Sequence, residues 1–378
     1  MISKELISLI QHSRRPIFVW GSGLRPYANA ARNLACSMGI PVACTWGAID
    51  LIHYDDPLMA GGFGTHGTRA ANFAVQNADL VISIGSRLDT KATGFPKHFA
   101  RDASLVMVDI DPAEIQKFSK LDRKIDIGIE ADAGKFIKTL SNAELFHEVP
   151  LQWGYQIEQW RKRYDTPAVP WGGINPYEFV KELGKYTTKD DIICSDTGCA
   201  LGWMMQAFPF KGERFLHAFN MTPMGYGLAA AIGASFATGQ RIILVSGDGS
   251  LMMSLAELAT VARWNLNIKI ILFNNQGHAM CRQTQRQWLG GESYPATSVE
   301  GGLGFPNSFE EMALDFGFQT TGGFKGLFLT DRATFWEVPI HPDAHLIPQA
   351  RFGAPIEDQE PLLPRDEFHK QMIVEPIS

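Results

Sequence analysis

The sequence predicts an α/β protein built from two doubly wound, mostly parallel-sheet domains, and three observations carry that expectation. Short β-branched runs alternate with amphipathic segments of helical length along nearly the whole chain. The runs are apolar throughout, as suits strands covered on both faces by helices. The alternation lapses once, in a polar and Pro/Gly-rich passage near the middle, so that the 378 residues fall into two sets, in keeping with roughly 100–200 residues per domain.

In the first set, "PIFVWGSG" (16–23), "PVACTW" (41–46), "ADLVISIGSR" (78–87) and "SLVMVDIDP" (104–112) read as buried strands, with helices over 26–39 and 68–77 between them. The break comes at "VPLQWGYQIEQWRKRYDTPAVPWGGINP" (149–176), a polar helix followed by a Pro/Gly-rich stretch. The second set comprises "DIICSDTG" (191–198), "RFLHAF" (214–219), "RIILVSGDG" (241–249), "IKIILFNN" (268–275) and "FWEVPI" (335–340). The expected division is a first domain over 1–148, a linker over 149–174, a second domain over 175–345 and a C-terminal tail over 346–378. Strand–helix–strand alternation in one sheet implies right-handed crossovers.

Composition excludes several classes. With 45% apolar and 20% charged residues and a net charge of −6, the chain can bury sizeable cores and lacks the basic surface that nucleic acid demands. Five cysteines without a CxxC pair signal neither a disulfide framework nor a zinc site, so a reducing cytoplasm is the expected compartment. The N-terminal "MISKELISLIQHSRRPIFVW" is interrupted by Gln, His and Arg and does not read as a signal peptide. No apolar run reaches the roughly 18–20 residues of a membrane span.

The stretch "RIILVSGDGSLMMSLAELATVARWNLNIKIILFNNQGHAM" (241–280) places Asp248 and Asn275 just past two greasy runs. Strand 241–246, helix 251–264 and strand 268–273 form one βαβ unit, so both side chains emerge at carboxyl ends of parallel strands, where open α/β sheets bind ligands. Oxygen donors of this kind suit Mg²⁺, which takes a few protein oxygens and completes its shell with water and phosphate. Gly247 and Gly249 allow close backbone approach, and the amides from Ser250 onward open a helix that can receive phosphate. A strand ending in Gly-Asp-Gly is by itself common. The joint pattern of GDGS, a helix and strand of this size, and then FNN with a glycine two residues on is much narrower.

That joint pattern resembles the signature of thiamine-diphosphate enzymes, and nearly the whole chain looks like the central and diphosphate-binding domains of the acetolactate synthase family. "NMTPMGYGLAAAIGASFA" is similar to the family's MGYGLPAAIGA segment, and "NNQGHAMCRQTQ" to its NN…GMVxQWQ segment. "GGFGTHGTRAANFAVQNADLVISIGSRLDTKATG" and "VMVDIDPAEIQK" resemble the family's GMHG, ADL, GxRFDDRxTG and IDIDPxEI stretches. The family also has a pyrimidine-binding domain of roughly 180 residues, for which this sequence shows no counterpart.

The resemblance implies roles residue by residue. Asp248, Asn275 and the carbonyl of Gly277 correspond to Mg²⁺ ligands. Gly249 and Ser250, with Thr197, Gly198 and Cys199, would hold the diphosphate, and Thr222, Gly247, His278 and Ala279 stand on the same segments. Met224 matches the bulky residue that keeps the cofactor bent, and Met280 and Cys281 would line its reactive side, Cys281 as a packed, inert thiol. Thr284 replaces a tryptophan of the acceptor pocket and Lys91 replaces an arginine, which widens the expected range of acceptors and removes a bidentate fork. His66 and His278 suit acid–base work, and each equally suits a structural histidine.

The first domain resembles the family's FAD-binding domain, with Gly21, Gly23, Gly64, His66, Gly85, Arg87, Asp109, Ile110 and Asp132 on the segments that would face it; related proteins bind ADP there or nothing. The implied activity is decarboxylation of a 2-oxo acid, pyruvate by analogy, with transfer of the acyl unit to an acceptor carbonyl; simple decarboxylation is the alternative. A separate subunit of roughly 150–200 residues carrying the activating glutamate is the expected partner, in a two-plus-two hetero-oligomer. Two readings from other classes compete. A nicotinamide dehydrogenase would need GxGxxG followed by an acidic residue about 20 positions on, which neither domain has. A non-catalytic paralogue has no reason to keep Asp248 and Asn275.

Overall fold

The apolar runs do become strands buried on both faces. The computed structural model describes all residues except 1–2, 144–148, 219, 291–295, 352 and 378; the side chain of 288 also lies outside the description. One unit comprises Met1–Pro167 with Ile347–Ser378, and a second comprises Ala168–Leu346.

In the first unit, β1 (Pro16–Trp20), β2 (Val42–Cys44), β3 (Met59–Gly62), β4 (Leu80–Ile84), β5 (Ser104–Asp109) and β6 (Ile127–Glu130) form one parallel sheet in the order β3-β2-β1-β4-β5-β6. Every residue of the central β1 and β4 is buried. β3 and β6 escaped the sequence reading for opposite reasons. β3 is "MAGG", short and half glycine, and β6 is "IGIE", an edge strand whose alternating burial leaves too few apolar positions for a run. The helix Arg69–Gln76 starts where the Thr68 hydroxyl accepts the N–H of Ala71, a side-chain cap.

The passage expected to be a linker contains the helix Leu151–Arg163, which buries Trp153, Ile157 and Trp160 in the first core; the Trp153 indole donates to the carbonyl of Pro16 at 2.9 Å. The stretch read as a tail also folds here from Ile347 onward. Helix Arg69–Gln76 carries two fully buried amides, Asn72 and Gln76, and such groups need partners. Asn72 Nδ2 donates to the carbonyl of Ile356 at 2.7 Å, and Gln76 Nε2 donates to buried Glu357 at 2.5 Å, which also pairs with Arg101 at 2.7 Å. The C-terminal segment is therefore a layer of this unit.

In the second unit, β7 (Ile192–Ser195), β8 (Arg214–Leu216), β9 (Ile242–Gly247), β10 (Ile268–Asn274), β11 (Gln319–Thr320) and β12 (Thr334–Pro339) form a second parallel sheet, ordered β11-β12-β10-β9-β7-β8. Residue 219, the expected end of the 214–219 strand, lies outside the described residues. The single helix expected over 251–264 is instead two short helices, Asp248–Met252 and Leu258–Arg263, separated by a tight turn. Strand succession reverses between β7 and β9, so their carboxyl ends open a crevice there. No helix among the described residues is long and apolar enough to cross a membrane.

Candidate functional site

The crevice at the ends of β7, β9 and β10 is a cavity of about 260 Å³. Its walls are Thr197–Ala200 and Trp203 after β7, Gly247–Ser250 after β9, Phe273, Asn275 and Gly277–Cys281 at and after β10, and Thr222 and Met224 from an intervening turn. Most of them are placed by the same local logic: a buried strand ends, and the first residues released from the ladder turn across the sheet edge. Two of those turns hold non-glycine residues at left-handed φ, Thr222 at 47° and Gln276 at 56°, strain that persists only where surrounding structure enforces it.

Asp248 is 2% exposed. Its Oδ1 accepts the N–H of Gly249 at 2.6 Å, and its Oδ2 accepts those of Asn275 at 3.1 Å and Gly277 at 3.0 Å. Burial nevertheless pushes its pKa up to about 6, against the opposing pull of these backbone donors. Beside it, Asn275 Oδ1 is buried with no hydrogen-bond partner among the described residues. An unpaired buried acceptor costs roughly 1–3 kcal/mol, so its presence at a strand end points to a ligand that completes it.

Gly249 lies where no side chain fits, since an added Cβ would stand 2.3 Å from Cδ2 of His278. The His278 imidazole is held below its ordinary pKa by burial and then by the Arg282 charge. Helix Cys199–Ala207 begins at Gly198, which gives no side-chain cap, and its first N–H groups line the cavity where an anion is favoured. The arrangement can hold a divalent cation on oxygen and an anionic group on backbone amides, with Met224, Trp203 and Phe273 supplying apolar wall.

Comparison with known proteins agrees with that chemistry. The description "Thiamine pyrophosphate enzyme, central domain" matches residues 3–140, and "Thiamine pyrophosphate enzyme, C-terminal TPP binding domain" matches residues 196–326, which bracket the cavity walls. The chain belongs to the thiamine pyrophosphate enzymes. It is 33% identical over 321 residues to the acetolactate synthase large subunit of Porphyra purpurea, covering 82% of this chain and 53% of that protein. The large subunit of Escherichia coli K12 acetolactate synthase isozyme 2 is 32% identical over 281 residues, 74% of this chain and 50% of that protein. Acetolactate synthase 1, chloroplastic, of Oryza sativa subsp. japonica is 32% identical over 322 residues, 83% of this chain and 48% of that protein. The chain thus spans about half the length of these relatives.

Within this thiamine pyrophosphate enzyme chain the cavity gathers Thr197, Gly198, Cys199, Thr222, Met224, Asp248, Asn275, Met280 and Cys281, together with the glycines, Ser250, His278 and Ala279. It does not gather Thr284, which is exposed one turn beyond Met280 with its hydroxyl on the Met280 carbonyl at 3.0 Å. Lys91 belongs to the first unit. Cys281 is exposed rather than packed, although partial burial still holds its thiol above the ordinary range; Cys199 is the buried one, its thiol pushed up to about 12 by desolvation. Sequence reasoning missed Ala200, Trp203 and Phe273 as walls, and it passed over Asp196, whose position directly before the Thr-Gly at a strand end was the available signal.

The first-unit residues are engaged within their own fold. Gly21 packs against Gly85 so closely that a Cβ would stand 2.1 Å from the Gly85 carbonyl oxygen. Gly64 donates its N–H to Asn72 at 2.8 Å, and Arg87 pairs with Glu114 at 2.7 Å. Asp109 accepts the N–H of Asp111 at 2.9 Å, while Asp132 caps helix Ala133–Ser141 and accepts the Tyr27 hydroxyl at 3.2 Å. His66 is buried against Trp46, its pKa driven down to about 4 by desolvation and then by Lys91, and Ile110 is 72% exposed.

Proposed function

We propose that the second unit binds thiamine diphosphate with Mg²⁺ and that the protein decarboxylates a 2-oxo acid and passes the acyl unit to an acceptor carbonyl. The observation that carries the reading is the pairing of a buried carboxylate, Asp248, with an unpartnered buried amide oxygen, Asn275 Oδ1, in the wall of one cavity. Those donors fit a hard cation with a retained water and phosphate shell. Asp248, Asn275 and the Gly277 carbonyl would hold the metal, and the amides at Gly198–Ala200 and Ser250 would take the diphosphate, with Gly249 leaving room for its close approach. Thiamine diphosphate, when bound, supplies the carbon nucleophile and the electron sink for loss of CO₂. Met224 would support the cofactor from its turn, Met280 and Cys281 would line its reactive side, and the apolar walls Trp203 and Phe273 would help exclude water. Pyruvate is the proposed donor, by analogy with relatives named acetolactate synthase.

We extend the reading to a partner. A separate subunit, presenting a pyrimidine-binding surface with an activating glutamate, would cover the apolar side chains that the second unit leaves bare. Met221 is 82% and Trp264 64% exposed, and Trp264 meets exposed Phe236 edge to face at 5.8 Å. Helix Tyr226–Thr238, which carries Phe236, is apolar nearly all round, a pattern of buried helices. Five free cysteines suit a reducing cytoplasm. FAD stays outside the proposal, because the polar groups that would face it already serve caps and ion pairs of the first unit, whose role we take as structural.

Calorimetric titration of the 378-residue chain with thiamine diphosphate and Mg²⁺ tests the core of this reading. Mg²⁺-dependent binding is expected, with turnover of pyruvate only when the partner is added. Binding that is indifferent to Mg²⁺ would move the site elsewhere, and full turnover by the chain alone would remove the partner.

A further inference from the structure

Thr197, Met224 and Ser250 stand on three different turns of the cavity wall, and one buried side chain ties those turns together. Asp196, at the end of β7, is 1% exposed. Its Oδ1 accepts the N–H of Thr197 at 2.9 Å and of Gly225 at 3.1 Å, and its Oδ2 accepts the N–H of Gly227 at 2.8 Å. The Ser250 hydroxyl also hydrogen-bonds to this carboxylate.

The physical consequence runs in two directions. The Gly225 and Gly227 amides belong to the start of helix Tyr226–Thr238, so the protein's own carboxylate occupies that helix terminus and leaves the amides of Gly198–Ala200 and Ser250 for an external anion. The turn that precedes the helix is under backbone strain, with Thr222 at φ 47°, and Asp196 is the charged group that anchors it. Met224 lies between those two points.

We propose that Asp196 is a positioning residue for the cofactor: it holds the 222–227 turn, and Met224 with it, at the separation from the diphosphate turn that the complete thiamine diphosphate requires. The inference rests on the thiamine diphosphate reading of the cavity. It adds that discrimination between the whole cofactor and its diphosphate end is set by a residue that touches neither.

The test compares two ligands on the full chain with Mg²⁺ present, thiamine diphosphate and inorganic pyrophosphate, by calorimetry and by fluorescence of Trp203 in the cavity wall. Asp196→Asn preserves size but turns an amide N–H toward a backbone N–H. The expected result is a fall in thiamine diphosphate affinity of about tenfold or more, as for loss of a buried charge-assisted hydrogen bond, with pyrophosphate affinity falling by a clearly smaller factor. Gly227→Ala gives an independent route, because its Cβ would stand 2.9 Å from the Asp196 nitrogen and would spread the clasp with the carboxylate intact. It should show the same selective loss, as should Met224→Ala, and these two variants carry the test if Asp196→Asn fails to fold. Equal loss of both ligands would make Asp196 a general scaffold residue and overturn the proposal, and so would unchanged thiamine diphosphate affinity. A wild-type chain that binds neither ligand would instead strike down the functional reading, an outcome visible before any variant is made.

Discussion

The two units present the same architecture, a six-stranded parallel sheet whose strand order reverses beside a central strand, and they use the resulting crevice in opposite ways. In the first unit the reversal falls between β1 and β4, where Gly21 and Gly85 pack backbone to backbone, Asp132 caps a helix and Arg87 pairs with Glu114. In the second it falls between β7 and β9, where the crevice stays open and a carboxylate and an amide oxygen are left under-compensated. A switch point permits a ligand site without creating one. An open cavity lined by a buried carboxylate and an unpartnered amide oxygen distinguishes the second crevice from the first.

The comparison breaks most completely at Asp248. Asp248→Ala should weaken Mg²⁺-dependent thiamine diphosphate binding by about 100-fold or more in calorimetry, because the metal loses its anionic protein ligand. Wild-type affinity in that variant would place the metal elsewhere.

Asn275→Leu probes the other half of the pair. Replacing an unpartnered buried oxygen with an apolar group of similar size should raise the stability of the ligand-free chain by about 1 kcal/mol while lowering Mg²⁺ affinity about tenfold. A chain destabilised without ligand would mean that Oδ1 already had a structural partner. The opposite signs of the two effects are what a functional strain predicts.

The first unit should answer to pH instead. His66 has a folded-state pKa of about 4 against an ordinary 6.5, so the unfolded chain binds its proton first. Its contribution is therefore fully present above pH 6.5 and is lost as pH falls toward 4, at most roughly 3 kcal/mol. His66→Gln should flatten the acid limb of the thermal-unfolding profile over that interval; an unchanged limb would show that other groups govern it.

The smallest effect sharpens the contrast. Asp132→Ala removes a helix cap and should cost about 1 kcal/mol of stability. Added FAD should leave the unfolding temperature of both wild type and variant unchanged. A stabilisation by FAD that the variant loses would turn the first crevice into a binding site.

Much of this was legible in the chain itself. Apolar runs announced nine of the twelve strands in the two six-stranded sheets of the described residues, and the two strand ends that carry Asp248 and Asn275 could be read from "SGDGS" and "FNNQG". β3, β6 and β11 were not legible, being respectively glycine-rich, half-exposed and two residues long. Asp196 was invisible because its donors Gly225 and Gly227 lie 29 and 31 residues away. The C-terminal segment read as a tail because nothing local in it reveals partners 281 and 284 residues upstream.

Two kinds of information separate here. Strand period, helix spacing and the residue type at each strand end are local properties, so the sequence by itself determined the fold class, the order of elements and the presence of oxygen donors at the ends of β9 and β10. Burial and hydrogen-bond satisfaction are sums over neighbours from the whole unit. Only the tertiary structure decided that Asn275 Oδ1 lacks a partner, that Asp248 is pushed toward protonation, that Cys199 is buried while Cys281 is open, and that Thr284 faces solvent away from the cavity.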